Sequence, residues 1–169
     1  IKTIRDAIPG NKDFTPFYSF LSILYEEEKD FSSAESILRE GLLAVKDKID
    51  IRYQLGSLFS KMNRTDESLL EMEAILQENP DHADALNFIG YTYAEMGKNL
   101  GEAEKMILKA LRLRPGNGYM LDSLGWVYFK QNRFDEALKC LKEAATILPG
   151  DPAITEHLGD VYMALNRRQ

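Results

Sequence analysis

Residues 124–128 read LGWVY, and a phrase of the same form recurs along the chain. The other copies are LGSLF at 55–59, IGYTY at 89–93, LGDVY at 158–162 and a weaker LSILY at 21–25. From the Ser or Gly of one copy to that of the next, the steps are 34, 34, 35 and 34 residues. A near-constant step of this size indicates structural units that repeat and stack on one another.

Two further columns of mostly small residues keep the same step. They contain Ala34, Ser68, Ala103 and Ala137, followed seven residues later by Gly41, Ile75, Ala110 and Ala144. Small residues let two helix backbones approach closely, and the aliphatic and aromatic residues of the phrase, four apart, share one helical stripe. Pro80, Pro115 and Pro149 close three repeats, where a proline stops a helix. The pattern therefore predicts two helices in each repeat.

The turns between the two helices of a repeat contain Asn or Gly in three of four cases, and these residues tolerate the left-handed conformation that ends a helix. We predict first helices at 14–28, 48–62, 82–96, 117–131 and 151–165, and second helices at 31–44, 65–78, 100–113 and 134–147. Residues 1–8 are expected to end a preceding second helix. Asp81 is expected to cap the third first helix.

Composition excludes several classes of partner. The net charge of -6 at pH 7 and the pI near 5.0 argue against nucleic acid, because neutralising phosphates requires a basic surface. The longest apolar stretch, Phe17 to Tyr25, is too short to span a bilayer, so no membrane insertion is expected in this segment. Cys140 is the only cysteine, so no intramolecular disulfide can form.

The two ends of the chain suggest a segment of a longer protein. The chain begins with Ile1 rather than Met and stops shortly after Leu165. Any targeting segment of the parent then lies outside this window. The compartment stays open: cytoplasmic, or bacterial periplasmic or lipid-anchored if the parent carries an export signal.

The repeated glycines, their paired aromatic residues, the alanine columns and the closing prolines together resemble the tetratricopeptide repeat. The resemblance implies an all-α, right-handed solenoid of antiparallel helix pairs, in which first helices line a concave groove. It covers residues 1–169 as one array: a tail at 1–12, full repeats at 13–46, 47–80, 81–115 and 116–149, and a partial repeat at 150–169. The later half also resembles bacterial multi-repeat proteins, often exported or lipid-anchored.

One stripe of each first helix is expected to face this groove, and we call it the groove stripe. It comprises the positions two, three and six before the Gly or Ser of the phrase, the position after it, and those four or five beyond. Its members include Phe20, Ile23, Glu26, Asp50, Tyr53, Gln54, Ser57, Asp84, Asn87, Phe88, Tyr91, Tyr119, Asp122, Ser123, Trp126, Phe129, Glu156, His157 and Asp160. Carboxylates and aromatic rings dominate this set.

Aromatic side chains ringed by polar groups are typical of binding hot spots, so we predict that the groove stripe binds a partner. The partner is expected to be a protein or peptide segment with apolar and basic side chains. The candidate contact residues are Tyr53, Asn87, Phe88, Tyr91, Tyr119, Asp122, Trp126, Phe129, Glu156 and His157. The alternative is that some of these rings only fill gaps between adjacent first helices.

No pattern indicates catalysis, a metal or a cofactor. His82 and His157 are the only histidines, and neither has ligand spacing to Cys140 or to the other. His157 is interpreted as solvated surface, and Cys140 as inert packing on a second helix. Asp122 and Ser123 lack a base and a Gly-rich elbow, so a hydrolase site is not expected.

We therefore expect a non-catalytic scaffold for protein–protein interaction, with two alternatives. The first is self-association through an exposed end helix that carries Leu158, Val161, Met163 and Leu165. The second is a recruiting arm of an enzyme that lies outside this fragment. Capture of a C-terminal carboxylate is not expected, because the groove positions that use Lys, Asn and Arg in such family members hold Tyr53 and Ser57, or Asn87 and Tyr91, followed by Asp122 or Glu156, so no cation is available.

Overall fold

A computed structural model describes residues 5–6 and 8–166, and over these residues the chain is α-helical without strands. A 3-10 turn at Ile8–Gly10 precedes the helices. The first helices are α1 (Thr15–Glu27), α3 (Ile49–Lys61), α5 (Ala83–Glu95), α7 (Gly118–Lys130) and α9 (Pro152–Asn166). The second helices are α2 (Phe31–Ala44), α4 (Thr65–Glu78), α6 (Leu100–Leu113) and α8 (Phe134–Ile147). Every helix bound lies within one residue of its prediction. Most of the tail predicted at 1–8 lies outside the described residues.

In four of the five phrases, the backbone carbonyl of the repeated aromatic residue accepts a hydrogen bond that closes the end of the first helix. Asn63 and Asn132 adopt positive φ values of 58° and 61°, and Gly97 adopts 63°. The next backbone N–H then bonds back to the carbonyl of the aromatic residue, as from Arg64 to Phe59 at 2.8 Å. This six-residue closure satisfies carbonyls that the helix end leaves free. Lys29 adopts φ 60° in the same role without being Asn or Gly.

The cap of α5 differs from the prediction. Asp81 does not cap the helix; instead Nδ1 of His82 accepts a hydrogen bond from the backbone N–H of Ala85 at 3.1 Å. The helix begins one residue later than an Asp81 cap requires, so His82 occupies the N-cap position whose side chain reaches the third helical N–H. His82 thereby has a structural role.

The helices form two compact units, the first ending at Glu78 and the second beginning at Asn79. In the first unit, Tyr18, Leu21, Ile37, Leu55 and Phe59 belong to one continuous apolar core. In the second unit, the apolar clusters are centred on the interiors of the helix pairs, with Ala103, Ile107, Val127, Ala137 and Leu141 fully buried. Short turns between neighbouring packed helices make each pair antiparallel.

The glycines of the phrase bring paired helices into close contact. A Cβ built on Gly90 would lie 2.6 Å from Cγ1 of Ile107, and one on Gly125 would lie 2.7 Å from Cγ of Leu141. On Gly56 the nearest atom would be the Met72 methyl group at 2.8 Å. Gly159 has nothing within 4 Å, so its Cβ would meet open space. The packing at Gly90 and Gly125 therefore leaves little room for a Cβ, whereas at Gly56 the flexible end of the Met72 side chain would have to move.

In each unit, an arginine directly before a second helix contacts side chains of the preceding first and second helices. Arg64 bonds the carboxylates of Glu35 and Glu67, and its guanidinium lies 4.3 Å from the Phe59 ring centroid. Its hydrogen bonds lower the pKa of Glu67. The equivalent contacts in the second unit join Arg133 to Glu104, Glu136 and the ring of Tyr128. Each arginine thus joins the turn within its repeat to the second helix of the preceding repeat.

Candidate functional site

Trp126 of α7 lies at the centre of a stack of rings in the second unit. Its ring centroid is 4.1 Å from that of His157 on α9, at an interplanar angle of 15°. It is 4.9 Å from the Phe129 centroid, at 6°. Only 8% of Trp126 is exposed. Aromatic pairs at these distances add to the stabilisation from burial, so the indole contributes to packing between α7 and α9.

His157 is not solvated surface, contrary to the sequence interpretation. The imidazole Nδ1 is 2.9 Å from Oδ1 of Asp122, and both residues are 7% exposed. A buried polar group costs free energy unless it has a hydrogen-bond partner, and this pair supplies one for each residue. His157 and Asp122 therefore join α9 to α7 through a buried polar contact.

Two charged side chains contact the indole, one at its N–H and one over its ring. The Trp126 Nε1–H donates to the Glu95 carboxylate of α5, and Nζ of Lys130 lies 4.5 Å from the ring centroid. The indole N–H is thus satisfied, and the cation lies within the range of a cation–π contact. Among the candidate contact residues, Trp126, Asp122 and His157 are buried, so they fit the alternative role of filling gaps between first helices better than contact with a partner.

The remaining candidates of the second unit keep some access to solvent. Tyr119 is 60% exposed and Glu156 is exposed, whereas Asn87, Phe88, Tyr91 and Phe129 are half-buried. Burial, with the carboxylates of Glu95, Asp122 and Glu156, raises the pKa of Tyr91 to about 12. The phenol of Tyr91 therefore keeps its proton at neutral pH and stays a hydrogen-bond donor. Oδ1 of Asn87 is buried without a hydrogen-bond partner in the described part of the chain.

The groove stripe is less acidic than its composition indicates, because several carboxylates have basic partners. Asp84 pairs with Arg114 at 2.7 Å, and Glu26 pairs with Lys61 at 2.5 Å. The pairing leaves Asp50 and Glu156 as exposed acidic members. The electrostatic attraction for a basic segment is therefore local rather than continuous.

In the first unit the groove stripe is open. Tyr53 of α3 is half-buried, but Phe20 and Ile23 of α1 are 53% and 47% exposed. Phe20 and Ile23 belong to the groove stripe but are not among the predicted contact residues. Their place on the stripe does not by itself predict exposure, since the same positions on α7 are buried.

The described residues provide little that is typical of an active site. They include no group of three His, Cys, Asp or Glu side chains able to hold a metal ion. None of their helices is long and apolar enough to cross a membrane. Cys140 packs half-buried beside the second unit's core, and burial, followed by the nearby Glu143, raises its pKa to about 11. Its thiol is therefore almost fully protonated at neutral pH.

Cys140 is expected to react with iodoacetamide at pH 8 roughly a hundredfold more slowly in the folded chain than in the urea-unfolded chain. The thiolate is the reacting species, and a pKa of about 11 leaves little of it at pH 8. The folded-state rate should rise as the pH approaches 11. Mass spectrometry of timed aliquots measures both rates. Equal rates in the folded and unfolded chains would contradict the effect of burial on the pKa.

Comparison with protein families gives two matches, both to models described as "Tetratricopeptide repeat". One covers residues 81–149 and the other covers residues 49–82. Together they extend over more than half of the chain. They include the phrases of α3, α5 and α7, whose glycines approach the paired helix most closely.

Two curated proteins are similar to parts of the chain, and one of them is described as a TPR repeat-containing protein. A TPR repeat-containing protein of Pseudomonas aeruginosa is 33% identical over 104 residues, which is 62% of this chain and 18% of that protein. Protein O-mannosyl-transferase Tmtc3 of Drosophila melanogaster is 26% identical over 124 residues, 73% of this chain and 13% of its own length. The chain thus spans less than a fifth of the length of either curated relative.

A solved structure supports the fold. A tetratricopeptide repeat protein from Parabacteroides merdae superposes with a TM-score of 0.82 at 20% identity, covering 98% of this chain and 66% of that one. At this level of identity the match concerns the fold alone. With the helices described above, it makes the architecture an all-α helical repeat solenoid.

Proposed function

The chain belongs to the tetratricopeptide repeat family, whose fold supports protein–protein interaction, and from that premise we propose that it is a non-catalytic scaffold holding a partner segment on its groove stripe. The partner carries apolar and basic side chains. In the second unit, the contact surface consists of the accessible members of the stripe around Tyr119, Tyr91 and Glu156. Trp126, Asp122 and His157 support this surface from beneath.

The observation that carries this proposal is the exposure of Tyr119, 60% on a helix whose other stripe residues are largely buried. An exposed tyrosine supplies a large contact area at low entropic cost and a polar end for hydrogen bonding. Tyr91, half-buried and protonated, adds a donor on the neighbouring first helix. Glu156 adds a carboxylate that suits a basic side chain.

Photo-crosslinking from position 119 tests the proposal. A crosslinking amino acid placed at Tyr119 is expected to capture a partner protein, whereas the same group at exposed Lys139 on second helix α8 should not capture it. The Tyr91→Ala/Tyr119→Ala variant should bind the captured partner about tenfold more weakly. Capture of the same protein equally from both positions would contradict binding on the groove stripe.

Self-association is a second candidate, supported by the exposed residues of α9. Tyr162 and Met163 are exposed, and the open space at Gly159 lies on the same helix. The predicted surface is smaller than expected, because Val161 is fully buried and Leu158 and Leu165 pack against the second unit's core. Light scattering over a dilution series checks this candidate, since a mass independent of concentration at the monomer value would exclude it.

A recruiting arm of an enzyme is the third candidate. Its support is the similarity to part of a protein O-mannosyl-transferase, of which the chain spans 13%. In that arrangement the repeats bind the substrate protein and another domain carries out the chemistry. The sequence of the full parent protein would show whether a catalytic domain accompanies the repeats.

A further inference from the structure

The same groove stripe is covered in the second unit and uncovered in the first. On α7, the position after the glycine is Trp126, and His157, two residues before the next glycine, lies over its ring. The equivalent positions in the first unit are Ile23 on α1 and Gln54 on α3. Gln54 turns its Oε1 to the hydroxyl of Ser22 at 3.3 Å. The Gln54 amide, which is bound to Ser22, thus takes the place that the His157 ring has in the second unit, and Ile23 stays exposed.

Ile23 separates two shallow depressions on this face. One, of about 310 Å³, is lined by Phe20, Ile23, Pro16 and the first turn of α3 at Asp50. The other, of about 430 Å³, lies on the opposite side of Ile23 and is lined by Phe31 and a set of charged residues. Each depression has room for an apolar side chain. Exposed apolar surface arranged around concave sites is typical of protein-binding surfaces.

The charges around the two depressions select the kind of occupant. Asp50 is the only charged residue that lines the first depression, and the described residues give it no ion pair. In the second depression, Glu26 is engaged by Lys61, while Glu27 is exposed. A basic side chain beside an apolar one would therefore meet Asp50 as its counter-charge, because no lysine or arginine among the described residues pairs with Asp50.

We propose that the exposed face of α1 around Phe20, Ile23 and Asp50 is the main docking surface for a partner peptide. We call this surface the α1 patch. Its occupant is a segment with two apolar side chains, one on each side of Ile23, and a Lys or Arg that pairs with Asp50. This inference rests on the proposed function and assigns the strongest contacts to the first unit instead of to the tyrosines of the second.

Selection from a phage-displayed library of random dodecapeptides on the 169-residue chain provides the probes. Selected peptides are expected to share a pair of aromatic or aliphatic residues with an adjacent Lys or Arg. Fluorescence polarisation then compares variants that circular dichroism shows to be folded. Phe20→Ser/Ile23→Ser is expected to weaken binding about tenfold or more, because the apolar contact is lost. Asp50→Lys should weaken it about threefold, with the smaller effect at high salt.

Two control variants separate this inference from the proposed function. Leu43→Ser removes an apolar side chain that is 91% exposed on second helix α2 and should leave binding unchanged. Tyr91→Ala/Tyr119→Ala removes two contacts of the proposed function and should weaken the selected peptides less than Phe20→Ser/Ile23→Ser does. If only the tyrosine variant loses the peptides, the α1 patch is wrong and groove binding stands. If Leu43→Ser acts as strongly as the patch variants, if no variant acts, or if no peptide is selected, the α1 patch is wrong, while the crosslinking from position 119 decides the proposed function separately.

Discussion

Replacing Trp126 by alanine is expected to lower the free energy of unfolding by about 3 to 5 kcal/mol. The indole is 8% exposed and contacts the rings of Phe129 and His157, so its removal leaves a cavity that the surrounding helices only partly fill. It also removes the indole N–H that the Glu95 carboxylate accepts and the ring that stacks on the His157 imidazole. Urea unfolding followed by circular dichroism measures the loss. A reduction of this size is a large fraction of the stability of an ordinary domain.

Tyr119→Ala is the matched control for Trp126→Ala. Tyr119 lies on the same helix and the same stripe but is mostly exposed, so its removal should change the free energy of unfolding by less than about 0.5 kcal/mol. If Trp126→Ala is as mild as Tyr119→Ala, the stack in the structure contributes little to stability. Trp126 would then return to the set of candidate partner contacts, as the sequence predicted.

The same substitution, glycine to alanine, is expected to act in opposite directions at Gly90 and Gly159. In a helix interior, alanine is favoured over glycine by about 0.5 to 1 kcal/mol. Gly159→Ala should show this gain, because nothing lies within 4 Å of its new Cβ. At Gly90 the Cβ would lie 2.6 Å from Cγ1 of Ile107 and 3.0 Å from the carbonyl of Ala103. Overpacking of this kind costs about 1 to 3 kcal/mol, so Gly90→Ala should lose about 1 to 2 kcal/mol net.

Gly56 and Gly125 extend the comparison into a graded series. At Gly56 the nearest atom is the terminal methyl of Met72, which can move aside, so Gly56→Ala should be close to neutral. At Gly125 the nearest atom is Cγ of Leu141, a branch point with less freedom, and the effect should approach that at Gly90. Thermal unfolding of the four variants measures the order. A stabilisation at Gly90 equal to that at Gly159 would show that the close contact with Ile107 is readily relieved.

The fold was predictable because its determinants are local and recur with one period. Helix ends follow from Asn63 and Asn132, which take positive φ, and close pairing of helices follows from the glycines within the first helices. At Lys29 the repeat period predicted the turn although lysine does not favour the left-handed conformation. Its φ of 60° is nevertheless similar to that of the Asn and Gly residues in the other turns. The cap at His82 was missed because a histidine side chain seldom holds this position and an aspartate stood beside it.

The burial within the site was not predictable from one helix at a time. A period places a residue on a face, whereas its exposure depends on the side chain of the next first helix. A signal was nevertheless present: Glu26 with Lys61 and Asp122 with His157 are complementary pairs, each 35 residues apart. Pairs separated by one period connect adjacent first helices, and they distinguish stripe residues that bind each other from those left free. Gln54 occupies the position in its repeat that His157 occupies in the last one. Because Gln54 has no ring to place over Ile23, Ile23 stays exposed.

The position of the lone indole gives the molecule a built-in optical reporter. The chain has a single tryptophan, and it lies among the helices that follow Asn79, against an imidazole. Its fluorescence therefore follows the unfolding of the C-terminal half. The N-terminal half contains tyrosine and phenylalanine but no tryptophan, so it does not contribute to tryptophan fluorescence. Comparison of emission with far-ultraviolet ellipticity during denaturation would then reveal whether the two halves melt together or one after the other.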